Sequence, residues 1–119
     1  MKFATIVLAS GLVFGLSAHA QQAKRPVYLI ADLNVTDAKG YADYAAKAGK
    51  TVADFHGRLL ARGKPEAKEG NAPGGLTVVV AFDSMEEFQK WWESPEYRAL
   101  VPERQKSATG NLYVVESLQ

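Results

Sequence analysis

Arg58 and Arg62 stand at either end of the segment Arg58-Leu59-Leu60-Ala61-Arg62. In an extended strand, side chains an even number of residues apart share a face. Two guanidinium groups on one face of a partly dry sheet must be answered, since an unpaired buried charge costs several kcal/mol. Protein carboxylates can answer them, with Asp32 and Glu69 as the available partners, or a bound organic anion can. The first reading is a structural ion-pair network; the second is a pocket recognising a carboxylate-bearing small molecule. A second group with chemical potential is aromatic: Tyr41, Tyr44, Trp91, Trp92 and Tyr97. At helical spacing such residues fill cores more often than pockets, yet their phenol and indole tips need polar partners when buried. A cleft between helix and sheet lined by Tyr44, Trp92, Tyr97 and Arg104 is the pocket these residues can build, with Arg58, Arg62 and Tyr97 framing it and Glu69 and Arg104 setting its charge.

Other chemistries are excluded or weakened by what the chain lacks. It has no cysteine, which removes disulfides, thiolate zinc sites, cysteine-ligated iron-sulfur clusters and thiol catalysis together. Of two histidines, His19 lies in the leader described below, so His56 alone remains, too few for a histidine-rich metal site or haem ligation within one subunit. No metal and no cofactor is expected. His56 itself reads as a residue at a helix C-terminus, where its charge suits the helix dipole, rather than as a proton shuttle. Gly74-Gly75 is followed by no Lys-Ser/Thr pair, so it is not a phosphate loop. No paired-carboxylate, Ser-His-Asp or HExxH arrangement occurs. With 14 basic against 13 acidic residues in 119, the chain carries neither the basic stripe of a nucleic-acid binder nor the acidic excess of a disordered tail.

The elements that must position these residues begin after an export leader. Met1-Lys2 is a short positive start, Phe3 to Leu16 is apolar, and Ala18-His19-Ala20 has the small-x-small form of a cleavage site. Residues 1–20 are therefore expected to be a signal peptide cleaved after Ala20, 21–25 a polar lead-in, and 26–119 a single domain. The expected location is periplasmic or secreted, with no membrane association after cleavage. Val27 to Val35 reads as a strand, apolar at both parities. A helix of about 18 residues follows a cap at Thr36 or Asp37 and ends at His56-Gly57, with Gly57 expected to supply the left-handed turn. Arg58 to Arg62 reads as the second strand, with a possible continuation over Ala67 to Glu69, and Leu76 to Phe82 as the third. Ser84 with Glu87 forms a capping box, Ser94-Pro95 restarts the helix, and Pro102 predicts a kink or fresh turn. Asn111 to Ser117 is the last strand.

The order β-α-β-β-α-β is the ferredoxin-like, α+β pattern. One face of such a sheet normally meets water, and strands apolar on both faces require a second cover. A second copy of the same sheet is the expected one, giving a twofold homodimer.

Tyr41-Ala42-Asp43-Tyr44 after Thr36-Asp37, the strand Gly57-Arg58-x-Leu60-x-Arg62-Gly63, Glu69-Gly70, Phe82-Asp83-Ser84-Met85, Trp92-x-Ser94-Pro95-Glu96-Tyr97 and Arg104 together resemble the family called domain of unknown function 1330. The resemblance runs over about residues 26 to 118. It implies a dimeric α+β barrel and no settled reaction. His56, where a small residue is usual, and Pro102 depart from the family pattern. The leading functional expectation is an exported homodimer that binds a small organic ligand, anionic or aromatic, in a cleft between sheet and helices. The alternatives are an enzyme resembling the cofactor-independent oxygenases found among dimeric α+β barrels, by analogy of fold alone, and a non-catalytic structural or stress-interaction protein.

Overall fold

A computed structural model describes residues 24–119 together with Gly11; the expected signal peptide, and residues 21–23 of the lead-in, lie outside the described residues. The elements are β1 (Val27–Val35), α1 (Ala38–Asp54), β2 (Arg58–Gly63), β3 (Leu76–Phe82), α2 (Met85–Trp92), α3 (Pro95–Arg98), α4 (Val101–Ser107) and β4 (Ala108–Glu116). The four strands form one antiparallel sheet in the order β2-β3-β1-β4, the ferredoxin-like arrangement that the sequence pattern predicts.

Alternation along β1 divides the sheet into two faces. Val27, Leu29, Ala31 and Leu33 are buried beneath the helices, whereas Tyr28, Ile30 and Asp32 are half-buried on the other side. Cross-strand register adds Thr77, Val79 and Ala81 of β3 and Asn111, Tyr113 and Val115 of β4 to that outer side. At the β3 edge Ala81 is buried, but over β4 Tyr113 and Val115 remain 49% and 48% exposed.

The helix boundaries follow local chemistry. Asp37 caps α1, its carboxylate accepting from the Gly40 N–H at 3.0 Å. Ser84 caps α2 by accepting from the Glu87 N–H at 3.1 Å. Ser94 caps α3 with Pro95 in its first turn, and Pro102 opens α4 as a fresh helix. At the end of α1 the expectation about Gly57 is corrected. His56 takes the left-handed conformation, with φ 63°, while its N–H donates to the Ala53 carbonyl and the Gly57 N–H donates to the Val52 carbonyl. Gly57 is required for space instead: a Cβ there would lie 2.7 Å from both Phe82 and Val52 side-chain atoms.

Two strand boundaries also move. Ala67 to Glu69 is not strand, and β4 begins at Ala108 rather than Asn111, because it pairs with β1 as far as Val35.

Candidate functional site

The inner face of the sheet does not close against α1. Where α1 crosses the sheet it presents Ala45, Ala48, Gly49 and Ala53 beside Val52, and these small side chains leave a cavity of about 320 Å³. Leu29, Ala31, Val78 and Val80 form its floor, and Trp91 and Leu59 close its sides. Its polar groups are Tyr41, Tyr44, Tyr97, Arg62 and Arg104. A mostly apolar concavity with a few convergent polar groups is the usual form of a small-molecule site.

Each polar group has a local reason for its position. Tyr44 lies on the inward stripe of α1, one turn after Tyr41, with ring centroids 5.6 Å apart. Tyr97 is fixed by Ser94, whose hydroxyl accepts from the Tyr97 N–H at 3.2 Å and donates to the Trp91 carbonyl at 2.7 Å. Arg104 is carried by α4, which is held to α1 by Lys47 donating to Glu103 at 2.9 Å. The Ser107 carbonyl also accepts from the Thr36 and Asp37 N–H groups at 2.8 and 3.1 Å, tying α4 to the start of α1.

The two buried phenols meet directly, Tyr44 Oη to Tyr97 Oη at 2.8 Å. One hydroxyl donates and the other accepts, so whichever accepts keeps a hydrogen of its own to offer. Burial, reinforced by Tyr97, pushes the Tyr44 phenol far above the usual tyrosine value, so Tyr44 stays protonated. Burial also raises Tyr41, against the opposing pull of Arg62 and Arg104. Arg62 borders Tyr41 at the rim, where the two also line a neighbouring groove with Gly63 and Leu76. Trp91, by contrast, is satisfied internally, its indole N–H donating to Thr51 Oγ1 at 2.9 Å.

Of the residues singled out from sequence, Tyr44, Arg62, Tyr97 and Arg104 line this cavity together, and Arg58, Glu69 and Trp92 do not. The expectation that Arg58 and Arg62 share a strand face is corrected by a β-bulge. Leu59 pairs with Val80 and Ala61 with Val79, so Leu60 is an extra residue and parity reverses across it. Arg62, opposite Val78, lies toward the cavity; Arg58, opposite Ala81, lies on the outer side and pairs with Asp83 at 2.9 Å. Glu69 is exposed in the loop between β2 and β3. Asp32, the other carboxylate expected to meet the arginines, lies on the outer face. Trp92 stacks on Phe88 beside the core, with the Arg98 guanidinium 4.6 Å from its ring centroid, while the neighbouring Trp91 turns inward.

Sequence reasoning missed Leu59, Trp91 and the wall of small residues on α1. Ala45, Ala48, Gly49 and Ala53 recur at helical spacing on the face that also bears Tyr41, Tyr44 and Val52, and that recurrence was the available signal. Among the described residues no group of three or more metal-ligating side chains occurs.

A family model described as Domain of unknown function (DUF1330) matches residues 26–118. No curated protein matches the chain. Among solved structures, a protein of unknown function from Rhodopseudomonas palustris is similar at TM-score 0.67 and 18% identity, over 85% of this chain and 88% of that one. SnoaB, a cofactor-independent oxygenase from Streptomyces nogalater, is similar at TM-score 0.61 and 11% identity, over 80% of this chain and 95% of its own. A dimeric ferredoxin-like protein of unknown function from Thermobifida fusca is similar at TM-score 0.54 and 16% identity, over 79% and 91% of the two chains. At these identities the likeness is one of fold.

Proposed function

We propose that this chain, which belongs to the DUF1330 family, is an exported homodimeric protein that binds a small organic ligand in the cavity between α1 and the sheet. The observation that carries the reading is the contrast inside that cavity. Its walls are apolar and roomy, yet the Arg104 side chain that contributes to them has a buried Nε without a partner and makes no hydrogen bond or ion pair through any guanidinium nitrogen among the described residues. A buried donor left unsatisfied is costly, and a ligand acceptor would relieve that cost. The test is to fill the space: Ala48→Leu adds side-chain volume at a buried lining position. It should leave the melting temperature unchanged or raised and abolish ligand-induced stabilisation. A variant that melts much lower, with no small molecule ever stabilising the wild type, would instead support a non-catalytic interaction protein with an imperfectly packed core.

Homodimerisation is supported by the uncovered outer face bearing Tyr28, Ile30, Val79, Tyr113 and Val115, and by the dimeric Thermobifida fusca neighbour. Export is supported by the charged start, apolar run and Ala-x-Ala site of residues 1–20. Intact mass of the protein recovered from the periplasm should correspond to a chain beginning at Gln21, and a species retaining Phe3 would overturn this.

A second reading, an oxygenase-like enzyme working without a cofactor, draws on the SnoaB neighbour and on the phenol and guanidinium donors that would stabilise an anionic substrate. Among the described lining residues there is no carboxylate or histidine to act as a base, and burial keeps Tyr44 protonated. Such an enzyme would require a substrate that ionises unaided. Oxygen uptake with an acidic polyphenol, lost in Arg104→Gln, would favour it over simple binding.

A further inference from the structure

The charges of the cavity are one-sided. Arg62 and Arg104 both contribute to its lining, and no Asp, Glu or His does so among the described residues. Neither arginine takes part in an ion pair within 4.0 Å among those residues, whereas Arg58, on the far side of the sheet, is paired with Asp83. Residues 1–23 contain no acidic side chain, so that segment offers no carboxylate side chain to either arginine. The polar groups gather at one end: Tyr41 and Tyr44 are neighbours on α1, Tyr44 Oη meets Tyr97 Oη at 2.8 Å, and Arg62 borders the same groove as Tyr41. Toward the other end of α1 the walls are Val52, Leu59 and Val80. A second charge on a ligand would meet only apolar side chains there and would lose its hydration unrepaid.

The geometry points to a monocarboxylic acid with an apolar body as the ligand class, its carboxylate held by Arg104, Arg62 and the free phenol hydrogen of the Tyr44–Tyr97 pair, its body lying toward Val52, Leu59 and Val80. This rests on the ligand-binding reading above and deepens it by naming what is bound and which way round. A carboxylate has two oxygens with about four acceptor positions. The Arg104 guanidinium and the phenol O–H can each take one, and Arg62, exposed at the rim, adds a second positive charge beside the head. Charged hydrogen bonds of this kind are the stronger class. The free protein meanwhile keeps both guanidiniums without a carboxylate partner among the described residues, which favours occupancy by an anion over a neutral molecule.

The test uses matched acid and amide probes of the same shape, octanoate against octanamide and naphthoate against naphthamide, with binding followed by calorimetry and ligand-observed NMR. Each acid should bind at least about 10-fold more tightly than its amide, and Arg104→Gln should weaken the acid about 10- to 100-fold while barely changing the amide. Arg62→Gln, at an exposed position, should lower acid affinity by a smaller factor and serves if Arg104→Gln fails to fold. Arg58→Ala should change neither. Equal affinity of acid and amide, or an acid preference that survives both glutamine variants, would overturn the assignment of the head group and leave the cavity reading standing. Failure of all four probes to bind would bring down the ligand reading and this inference with it.

Discussion

The two faces of the sheet are made from the same kinds of residue and meet opposite conditions. On the inner face Val27, Leu29, Leu33, Val80 and Phe82 are buried under α1 and the aromatic cluster of Phe88, Trp91 and Tyr97. On the outer face Tyr28, Ile30 and Val79 are half-buried and Tyr113 and Val115 exposed, and none of the five belongs to the core clusters. Each face also keeps a buried polar side-chain atom without a partner, Arg104 Nε within and Thr77 Oγ1 without. The inner vacancy is enclosed by small residues of α1 and is the size of a small molecule. The outer one is an open plane, and a surface of matching shape is what covers a plane. Apolar character alone does not distinguish a ligand site from an assembly surface; the residues opposite it do.

The comparison breaks most readily on the outer side. Ile30→Asp places a carboxylate at the middle of that face, in register with Val79 and Tyr113. Dimer association should weaken by about 3–5 kcal/mol, the cost of an uncompensated buried charge. Light scattering should then report a monomer or aggregate, and an unchanged dimer would show that this face is not the interface.

Two glycines of the inner side separate packed from open space. Gly57→Ala should lower stability by about 1–3 kcal/mol, because the new methyl meets Phe82 and Val52 at 2.7 Å. Gly49→Ala, at a helical cavity-lining position with nothing within 4 Å of the new atom, should raise stability by up to about 1 kcal/mol. Chemical denaturation checks both.

The phenol pair sharpens the contrast through pH. The folded state holds the Tyr44 proton above the ordinary value of 10.0, and the unfolded chain releases it there. The contribution is therefore whole below about pH 10 and is lost as pH rises further, at a slope of about 1.4 kcal/mol per unit. Tyr44→Phe should cost about 1 kcal/mol at neutral pH and flatten part of that alkaline decline. The smallest effect belongs to the outer ion pair: Arg58→Ala removes an exposed contact with Asp83 and should change stability by no more than about 0.5 kcal/mol.

Much of the fold was legible because it depends on local signals. Val27 to Val35 is strand from end to end, and Ser84 and Ser94-Pro95 start their helices where a capping hydroxyl and a proline direct. The site was legible in part. Tyr44, Tyr97 and Arg104 could be grouped because helical periodicity places them on inward stripes, and Arg62 joined them by strand position. Arg58 was misplaced because parity counts along Arg58 to Arg62 carry no sign of the unpaired Leu60. Trp91 and Trp92 were ambiguous because neighbours on a helix differ by about 100°, and the choice between them rests on Thr51, forty positions earlier, accepting the Trp91 indole hydrogen. His56 took the turn expected of Gly57 because the glycine was already committed to the close approach of Phe82.

The bulge at Leu60 acts on β2 as a frameshift acts on a message. Before it Arg58 faces outward and Leu59 inward; after it Ala61 faces outward and Arg62 inward, so two arginines four positions apart stand on opposite sides of the sheet. Were Leu60 taken into the ladder as an ordinary strand residue, the plain alternation would put both guanidiniums on the same side and, with Arg62 held inward, turn Leu59 away from the cavity it now walls. One inserted residue thus lets a six-residue strand serve two clients, giving Asp83 its cation on one side and the cavity its rim on the other. Substituting Leu60 would preserve that division, whereas a register slip that paired Leu60 in the ladder would reassign Arg58 and Leu59 together.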